Sequence, residues 1–497
     1  MTQPCDLDAT EARQLIGLKK LSSGELLDSC IARIEAVDHA VNAMVAHDFD
    51  RARASARLAD EAVARGEKLG PLHGLPFGVK DLEDVAGLRT TYGSPIFRDH
   101  VPATDQGNVA RVKAAGGIVV GKTNTPEFGA GANTRNAVYG ATGNPFDPSK
   151  SAAGSSGGSA VALATGMAPI CTGSDLGGSL RNPAAFNGIV GFRPTPGLVP
   201  NEKRGHGWNP LSVLGPMART VPDLCMLLSA MTADDNRDAL ATTIHGRQVR
   251  RAEDFYPPTA LDLASIRVAL TPDFGFAPTE KIIANDFSDK TSLFRHIFAR
   301  ADDASPDCAG TDESFEILRA VGFLASHLEK VKTRPQDVGP NVRANVEQGL
   351  GYSAQDVARA LTLQTQIYQR WQNFFQKYDM IITPSITISP RAWTELFPAE
   401  IDGKATRTYF HWLALAYAVT LPGHPALSLP VGLDGNGMPF GLQIVGPRGG
   451  DALVLRVAAE LEKLLAKDAR TARPVPDIAR LKAAPPISAS ANFLGFS

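Results

Sequence analysis

Hydrophobic residues first organise the chain near its N-terminus. Leu26, Leu27, Cys30, Ile31, Ile34 and Val37 recur three and four residues apart, the period of a helix with one buried face. Ser22 and Glu25 just ahead of them have capping-box spacing. The Ala- and Arg-rich run 48–66 keeps helical character, so 8–68 is expected to be a helical cover. At 71–81 the period changes. Pro71-Leu-His-Gly-Leu-Pro-Phe-Gly-Val-Lys-Asp81 reads as a turn feeding a short buried strand, and 116–123 repeats the pattern after a helix at 108–115. Further apolar runs at 266–270, 380–383, 426–429 and 440–445 are expected strands, apolar enough to be covered on both faces. Helical periodicity dominates 312–375 and returns at 451–467. The stretch 233–262 is expected to be a surface excursion and 468–497 a Pro/Ala-rich tail. Short strands alternating with helices predict an α/β layered fold. With no internal repeat and no clean linker, one large domain over 1–497 is expected.

Composition narrows the field without naming a function. The 497 residues are 43% hydrophobic and 21% charged, with 50 basic against 52 acidic side chains. That balance, with no basic stripe, argues against nucleic acid or an anionic membrane as partner. Five cysteines at 5, 30, 171, 225 and 308 form no C-x-x-C pair, which fits reduced thiols and a cytoplasmic location better than a zinc knuckle or a redox dithiol. No secretory signal and no apolar run of about 20 residues is evident.

The chemistry concentrates in 151–195. Ser151-Ala-Ala-Gly-Ser-Ser-Gly-Gly-Ser159 and Gly173-Ser-Asp-Leu-Gly-Gly-Ser-Leu-Arg181 flank an apolar run, 160–171, so two tight loops around one buried element are expected. Glycine lets backbone N–H groups approach a ligand closely. A serine hydroxyl needs a neighbour to take its proton, and no histidine lies in either loop. Lys80, reached through Phe77-Gly-Val79, can serve if burial penalises its charged form. Asp81, next on the strand, should point the other way. Ser155 then bridges Lys80 to Ser179, and Leu176, Gly177, Gly178 and Ser179 supply N–H donors for an oxyanion. An ion pair involving Asp175 and Arg181 could hold the loop. Each piece has a bland counterpart. Gly-Gly-Ser is a common loop fragment, a lone lysine is normally solvated, and Ser155-Ser156-Gly157-Gly158 could be a phosphate nest at a helix N-terminus, although no G-x-x-x-x-G-K-[ST] is present. His411, Trp412 and His424 read as packing residues by default, and Trp208 as either a pocket aromatic or a loop anchor.

In combination, Gly154-Ser-Ser-Gly-Gly-Ser159, Asp175-Leu-Gly-Gly-Ser-Leu-Arg181 and Gly188-Ile-Val-Gly-Phe-Arg-Pro-Thr195 resemble the signature of the amidase signature family. Gly74-Leu-Pro-Phe-Gly-Val-Lys-Asp81, Gly121-Lys-Thr-Asn-Thr-Pro-Glu-Phe128, Gly215-Pro-Met-Ala-Arg219 and Gly441-Leu-Gln-Ile-Val-Gly446 extend the similarity over roughly 26–461. Ala153 stands where the family often has glycine. The resemblance implies a mixed β-sheet sandwiched between helical layers. It also implies a Ser179 nucleophile, a bridging Ser155 after a cis peptide bond, a Lys80 base and an oxyanion loop at 176–179. Gly129 would lie beside the substrate, with Ser156 and Arg181 supporting, and no metal or organic cofactor is implied. The expected reaction is cleavage of a small-molecule carboxylic amide to acid and amine or ammonia. The alternatives are a carbamate, ester or aryl-acylamide hydrolase, or the A-type subunit of a glutamine-dependent amidotransferase. Pro194-Thr-Pro-Gly-Leu-Val-Pro200 and Leu211-Ser-Val-Leu-Gly-Pro216 look more like free-standing amidases. Pocket residues are expected from the 92–97, 128–139, 205–210, 312–375 and 409–424 stretches. The substrate, and whether the protein forms a homodimer, are not legible at this level.

Overall fold

A computed structural model describes residues 3–494 apart from 242, 245 and 246. Those three positions in the expected surface excursion, and 495–497 of the expected tail, lie outside the described residues. The N-terminal stretch forms helices α1 (Ala9–Gly17), α2 (Ser23–Val41) and α3 (Phe49–Ala64). Ser22 caps α2 as its sequence suggests: its hydroxyl accepts from Glu25 N–H at 3.0 Å, and its own N–H donates to Glu25 Oε2 at 2.8 Å. Such a cap contributes about 1 kcal/mol.

Eleven strands make the main sheet. They are β1 (Met44–Ala46), β2 (Pro76–Lys80), β3 (Ile118–Thr123), β4 (Ile170–Asp175), β5 (Val190–Arg193), β6 (Val213–Ala218), β7 (Arg267–Leu270), β8 (Arg300–Asp303), β9 (Met380–Pro384), β10 (Ala426–Leu433) and β11 (Pro439–Val445). Their spatial order is β1-β3-β2-β4-β6-β5-β10-β11-β9-β7-β8. The β2–β3, β2–β4, β7–β8 and β7–β9 pairs are parallel and the remaining pairs antiparallel. The sheet is therefore mixed, with helices on its faces, as the α/β expectation required. Phe77 and Val79 of β2 are fully buried, each worth roughly 1.5–3 kcal/mol of transfer free energy.

Several strands are not evident from periodicity. Met44–Ala46 adds an edge strand inside the expected helical cover. The buried run at 160–171 is not one element: helix α4 (Gly157–Ala164) ends, the chain reverses at Gly166, and β4 begins at Ile170. β6 carries Pro216 opposite Thr172, and a proline ordinarily argues against an interior strand; burial of Val213, Leu214 and Met217 outweighs the lost ladder bond here. The helical stretch after 310 resolves into α5 (Thr311–Thr333), α6 (Pro340–Leu350) and α7 (Ala354–Phe375), and the last long helix spans Asp451–Leu465. The C-terminal stretch is not featureless: Ile478–Ala483 is helical. No helix among the described residues is long and apolar enough to cross a membrane.

The topology sets the site. β2, β3 and β4 run parallel, so Lys80, Thr123 and Asp175 close their strands on one edge of the sheet. α4 begins at that same edge, with Ser156 at its N-cap. Carboxyl ends of parallel strands are where α/β sheets open a crevice.

Candidate active site

Strand β2 delivers Lys80 into a place shielded from solvent. The side chain is fully buried, and its Nζ meets three hydroxyls: Ser155 Oγ at 2.7 Å, Ser156 Oγ at 2.8 Å and Ser174 Oγ at 3.0 Å. Loss of solvation pushes its pKa down to about 7, against the opposing pull of Glu83 and Asp175. No carboxylate among the described residues touches the amine. Asp81, one residue on, turns away as expected, accepting from Thr91 Oγ1 at 2.6 Å and facing Lys122 at 3.3 Å. The expectation that a surface lysine is the default thus fails at residue 80 for a physical reason: both neighbours of β2 in the sheet are parallel buried strands.

The first Ser/Gly loop supplies Ser155 and Ser156. The Gly154–Ser155 peptide is cis. Ser155 is buried, and Ser156 ties the two loops together through its N–H, which donates to the Ser179 carbonyl at 3.3 Å. Ser174 is the residue that sequence reasoning misses. Its position just before Asp175 is the signal it carries, but only the sheet register brings it to Lys80.

The second loop is shaped by Asp175. Its buried carboxylate accepts from Arg181 Nε at 3.0 Å and Nη2 at 2.9 Å, with Arg193 Nη1 at 3.3 Å. Burial alone would raise its pKa; Arg181 and Arg193 reverse that and hold it well below the usual carboxylate range. Arg181 is in turn fixed by the Ala416 carbonyl at 2.9 Å and Gln443 Oε1 at 2.5 Å. Asp175 also accepts the N–H of Gly178 at 2.9 Å and of Leu180 at 3.2 Å.

The Gly178 contact corrects one expectation. Gly178 does not present a free N–H to a ligand, because its donor is already committed to Asp175. The N–H groups of Leu176, Gly177 and Ser179 have no partner among the described residues. Gly178 instead supplies conformation: its φ is +106°, and a Cβ there would lie 2.4 Å from Asn182 Nδ2 and 2.6 Å from Ala416 Cβ. Gly129, φ +72°, lies beside the first loop, where a Cβ would come within 3.3 Å of Ser155 Oγ.

Ser155, Ser174, Leu176, Gly177, Ser179 and Gly129 all line one cavity of about 860 Å³. The Ser179 hydroxyl is half-buried in its wall and has no hydrogen-bond partner among the described residues. All five stretches expected to shape the pocket contribute, through Tyr92, Phe128, His206, Arg319 and Leu413 among others. Trp208 does not line it and is 81% exposed. His424 is a packing residue, buried and stacked 5.3 Å from Trp371. No group of three or more His, Cys, Asp or Glu side chains that could hold a metal occurs among the described residues.

Known proteins share both the sequence and this architecture. The sequence profile of the Amidase family matches residues 25–455. The chain is 33% identical to an acylamidase of Rhodococcus erythropolis over 92% of its own length and 95% of the relative's. It is 32% identical to the A-type subunit of glutamyl-tRNA(Gln) amidotransferase from Bacillus velezensis over 94% and 99%. Among solved structures, a bacterial aryl acylamidase of the amidase signature enzymes superposes with a TM-score of 0.84 at 26% identity, covering 92% of this chain and 96% of that one. The profile match across most of the chain and the shared sheet establish that the protein belongs to the amidase signature family and is an amide-hydrolysing enzyme.

Proposed function

We propose that the protein, as one domain spanning the chain, cleaves a small carboxylic amide to acid and amine or ammonia through an acyl-enzyme on Ser179, with Lys80 as base and Ser155 as proton bridge. The observation that carries this is the 2.7 Å contact between Lys80 Nζ and Ser155 Oγ, made by a lysine shielded from solvent and touched by no carboxylate among the described residues.

An ammonium has three donors and no lone pair; the neutral amine has two donors and one acceptor. In the neutral state Lys80 donates to Ser156 and Ser174 and accepts the Ser155 proton. Ser155 then takes the proton of Ser179 as the Ser179 oxygen attacks the amide carbon. The oxyanion is received by the unpartnered N–H groups of the 176–179 loop, chiefly Gly177 and Ser179; each such donor is worth about 3 kcal/mol in the transition state. Lys80, now protonated, returns the proton through Ser155 to the departing nitrogen, and water releases the acid by the same route.

The test is a screen of amides, anilides, carbamates and esters with Ser179→Ala as the blank, coupled to labelling by a fluorophosphonate. Turnover and labelling that both vanish in Ser179→Ala support the assignment; turnover retained in the variant removes it. Ester and carbamate cleavage would use the same acyl chemistry. The similarity to amidotransferase subunits favours a second reading, transfer of ammonia to a partner. Glutamine dependence and co-purification of a second subunit would select it.

A further inference from the structure

The cavity that holds Ser155 and Ser179 also holds charges that do not cancel. Lys203 is paired with Asp84, and Arg204 with Asp238 at 3.2 Å. Arg319 and Lys330 line the same space with no carboxylate partner among the described residues. Among the described residues Lys330 is hydrogen-bonded to the Ser326 carbonyl of its own helix, at 2.8 Å, and stands 5.6 Å from the Phe128 ring.

Arg319 is the stronger anomaly. It is 6% exposed, and buried arginines are ordinarily paired. Of its five N–H donors, one is engaged, by the Tyr409 hydroxyl. Its Nε is buried without a hydrogen-bond partner among the described residues. Three rings surround the guanidinium instead: Phe323 at 4.7 Å, Phe410 at 5.1 Å and Tyr409 at 5.2 Å. Ring faces stabilise the charge and fix the group's orientation, but they are poor acceptors for N–H. The result is a pre-positioned cation most of whose donors lack an acceptor among the described residues.

Its place on α5 relates it to the reacting atoms. Phe315, four residues earlier on α5, is where a Cβ on Gly177 would point, 3.3 Å from Phe315 Cζ. Residues four apart share a helix face, about 6 Å along the axis. Arg319 therefore stands roughly one helical turn beyond the oxyanion loop, on the wall facing the cavity.

We propose that Arg319 anchors a carboxylate on the substrate, so that the amides this enzyme prefers are those carrying an anionic carboxyl group separated from the scissile carbonyl by several bonds. A planar carboxylate matches the guanidinium fork, and Lys330 adds a second positive charge to the same space. Arg319 acts here as a specificity residue and takes no part in the proton relay. The inference rests on the hydrolase reading above.

The experiment compares matched substrates: the para-nitroanilide of hexanoic acid against the mono-para-nitroanilide of adipic acid, and acetanilide against N-acetyl-para-aminobenzoate. These pairs place the carboxylate on the acyl side and on the amine side in turn. The expected result is a preference of about 10- to 100-fold in kcat/KM for the carboxylate member of one pair, expressed mainly in KM. In Arg319→Met that ratio should fall to about one, and Arg319→Lys should restore part of it. If Arg319→Met does not fold, wild-type hydrolysis of a neutral anilide is measured with hexanoate or hexanol as competitor. Selective inhibition by hexanoate supports the anchor; equal inhibition overturns it. Hydrolysis of the neutral anilides with no preference for either carboxylate partner overturns the anchor alone. Failure to hydrolyse any member points instead to the hydrolase reading itself.

Discussion

The Asp175 carboxylate accepts the Gly178 N–H at 2.9 Å through the same oxygen that Arg181 Nη2 contacts at 2.9 Å. One buried anion therefore sets both the bend of the second Ser/Gly loop and the anchorage of the helix that begins at Arg181. Removing its charge leaves two buried guanidiniums without a counter-ion, which typically costs about 3–5 kcal/mol. Asp175→Asn is expected to lower stability by that amount and to reduce turnover more than a hundredfold, because the loop N–H groups lose their fixed direction. Urea unfolding and steady-state kinetics on the same preparation check both parts. Wild-type stability in the variant would show that Asp175 is not the organising charge.

Protonation of Lys80 should govern activity. Burial lowers its pKa to about 7, and only the neutral amine has a lone pair. At one pH unit below that value about a tenth of the enzyme is competent, so kcat/KM for an uncharged substrate should rise about tenfold per unit on the acid side and level off above about pH 8. A profile that is flat from pH 5 to 9 would be incompatible with Lys80 as base. The same shift bears on stability. Because the folded pKa lies below the ordinary lysine value of 10.5, the unfolded chain holds the extra proton between these values. Stability should then rise with pH from about 7 to about 10. Lys80→Met should remove this rise as well as turnover.

Ser174 gives a finer test of the same centre. Its hydroxyl accepts from the Lys80 amine at 3.0 Å, and a hydrogen bond to the charged form favours that form. Ser174→Ala should therefore shift the acid limb of the pH profile to lower pH while reducing kcat by about tenfold or less. An unmoved limb would mean that Ser174 does not solvate the ammonium.

Gly178→Ala and Gly129→Ala probe the backbone. Both positions have φ in the left-handed region, and a Cβ at Gly178 would meet Asn182 and Ala416 at 2.6 Å or less. Gly178→Ala is expected to cost about 1–3 kcal/mol of stability and most of the activity. At Gly129 the Cβ crowds Ser155 Oγ at 3.3 Å, so the loss should fall mainly on kcat. Thermal unfolding and kinetics separate the two outcomes.

Replacing the Ser179 hydroxyl should leave the fold almost untouched, since it is half-buried and bonded to no described residue. Ser179→Ala should melt within a few degrees of wild type, a change below about 0.5 kcal/mol, while losing turnover and fluorophosphonate labelling. Residual labelling at wild-type rate would place the nucleophile elsewhere.

Local pattern reaches far into this protein. The helix at 23–41 is legible because its apolar stripe and its Ser22–Glu25 cap are short-range features, and β2 because five consecutive residues had to be buried. β4, β5 and β6 are not, because glycine and proline interrupt them and their stability comes from neighbours distant in sequence. Lys80, Ser155 and Ser156 can be singled out from their loops, and the structure brings them into contact. Gly178 reads as a free donor because nothing in Leu176-Gly177-Gly178-Ser179 reveals that Asp175 turns back to accept its N–H.

The sequence by itself determined which groups can react, and the family to which their spacing belongs: two serine-bearing glycine loops and one lysine behind an apolar approach. Those are properties of residue type and order, written in short segments. The tertiary structure decided what each group experiences. It made Lys80 dry, added Ser174 to its shell, turned Gly178 away from the cavity and left Arg319 in that cavity without a counter-ion among the described residues. Desolvation and unpaired charge depend on what packs around a side chain, and for Lys80 and Arg319 those neighbours come from segments 75 to 94 residues away.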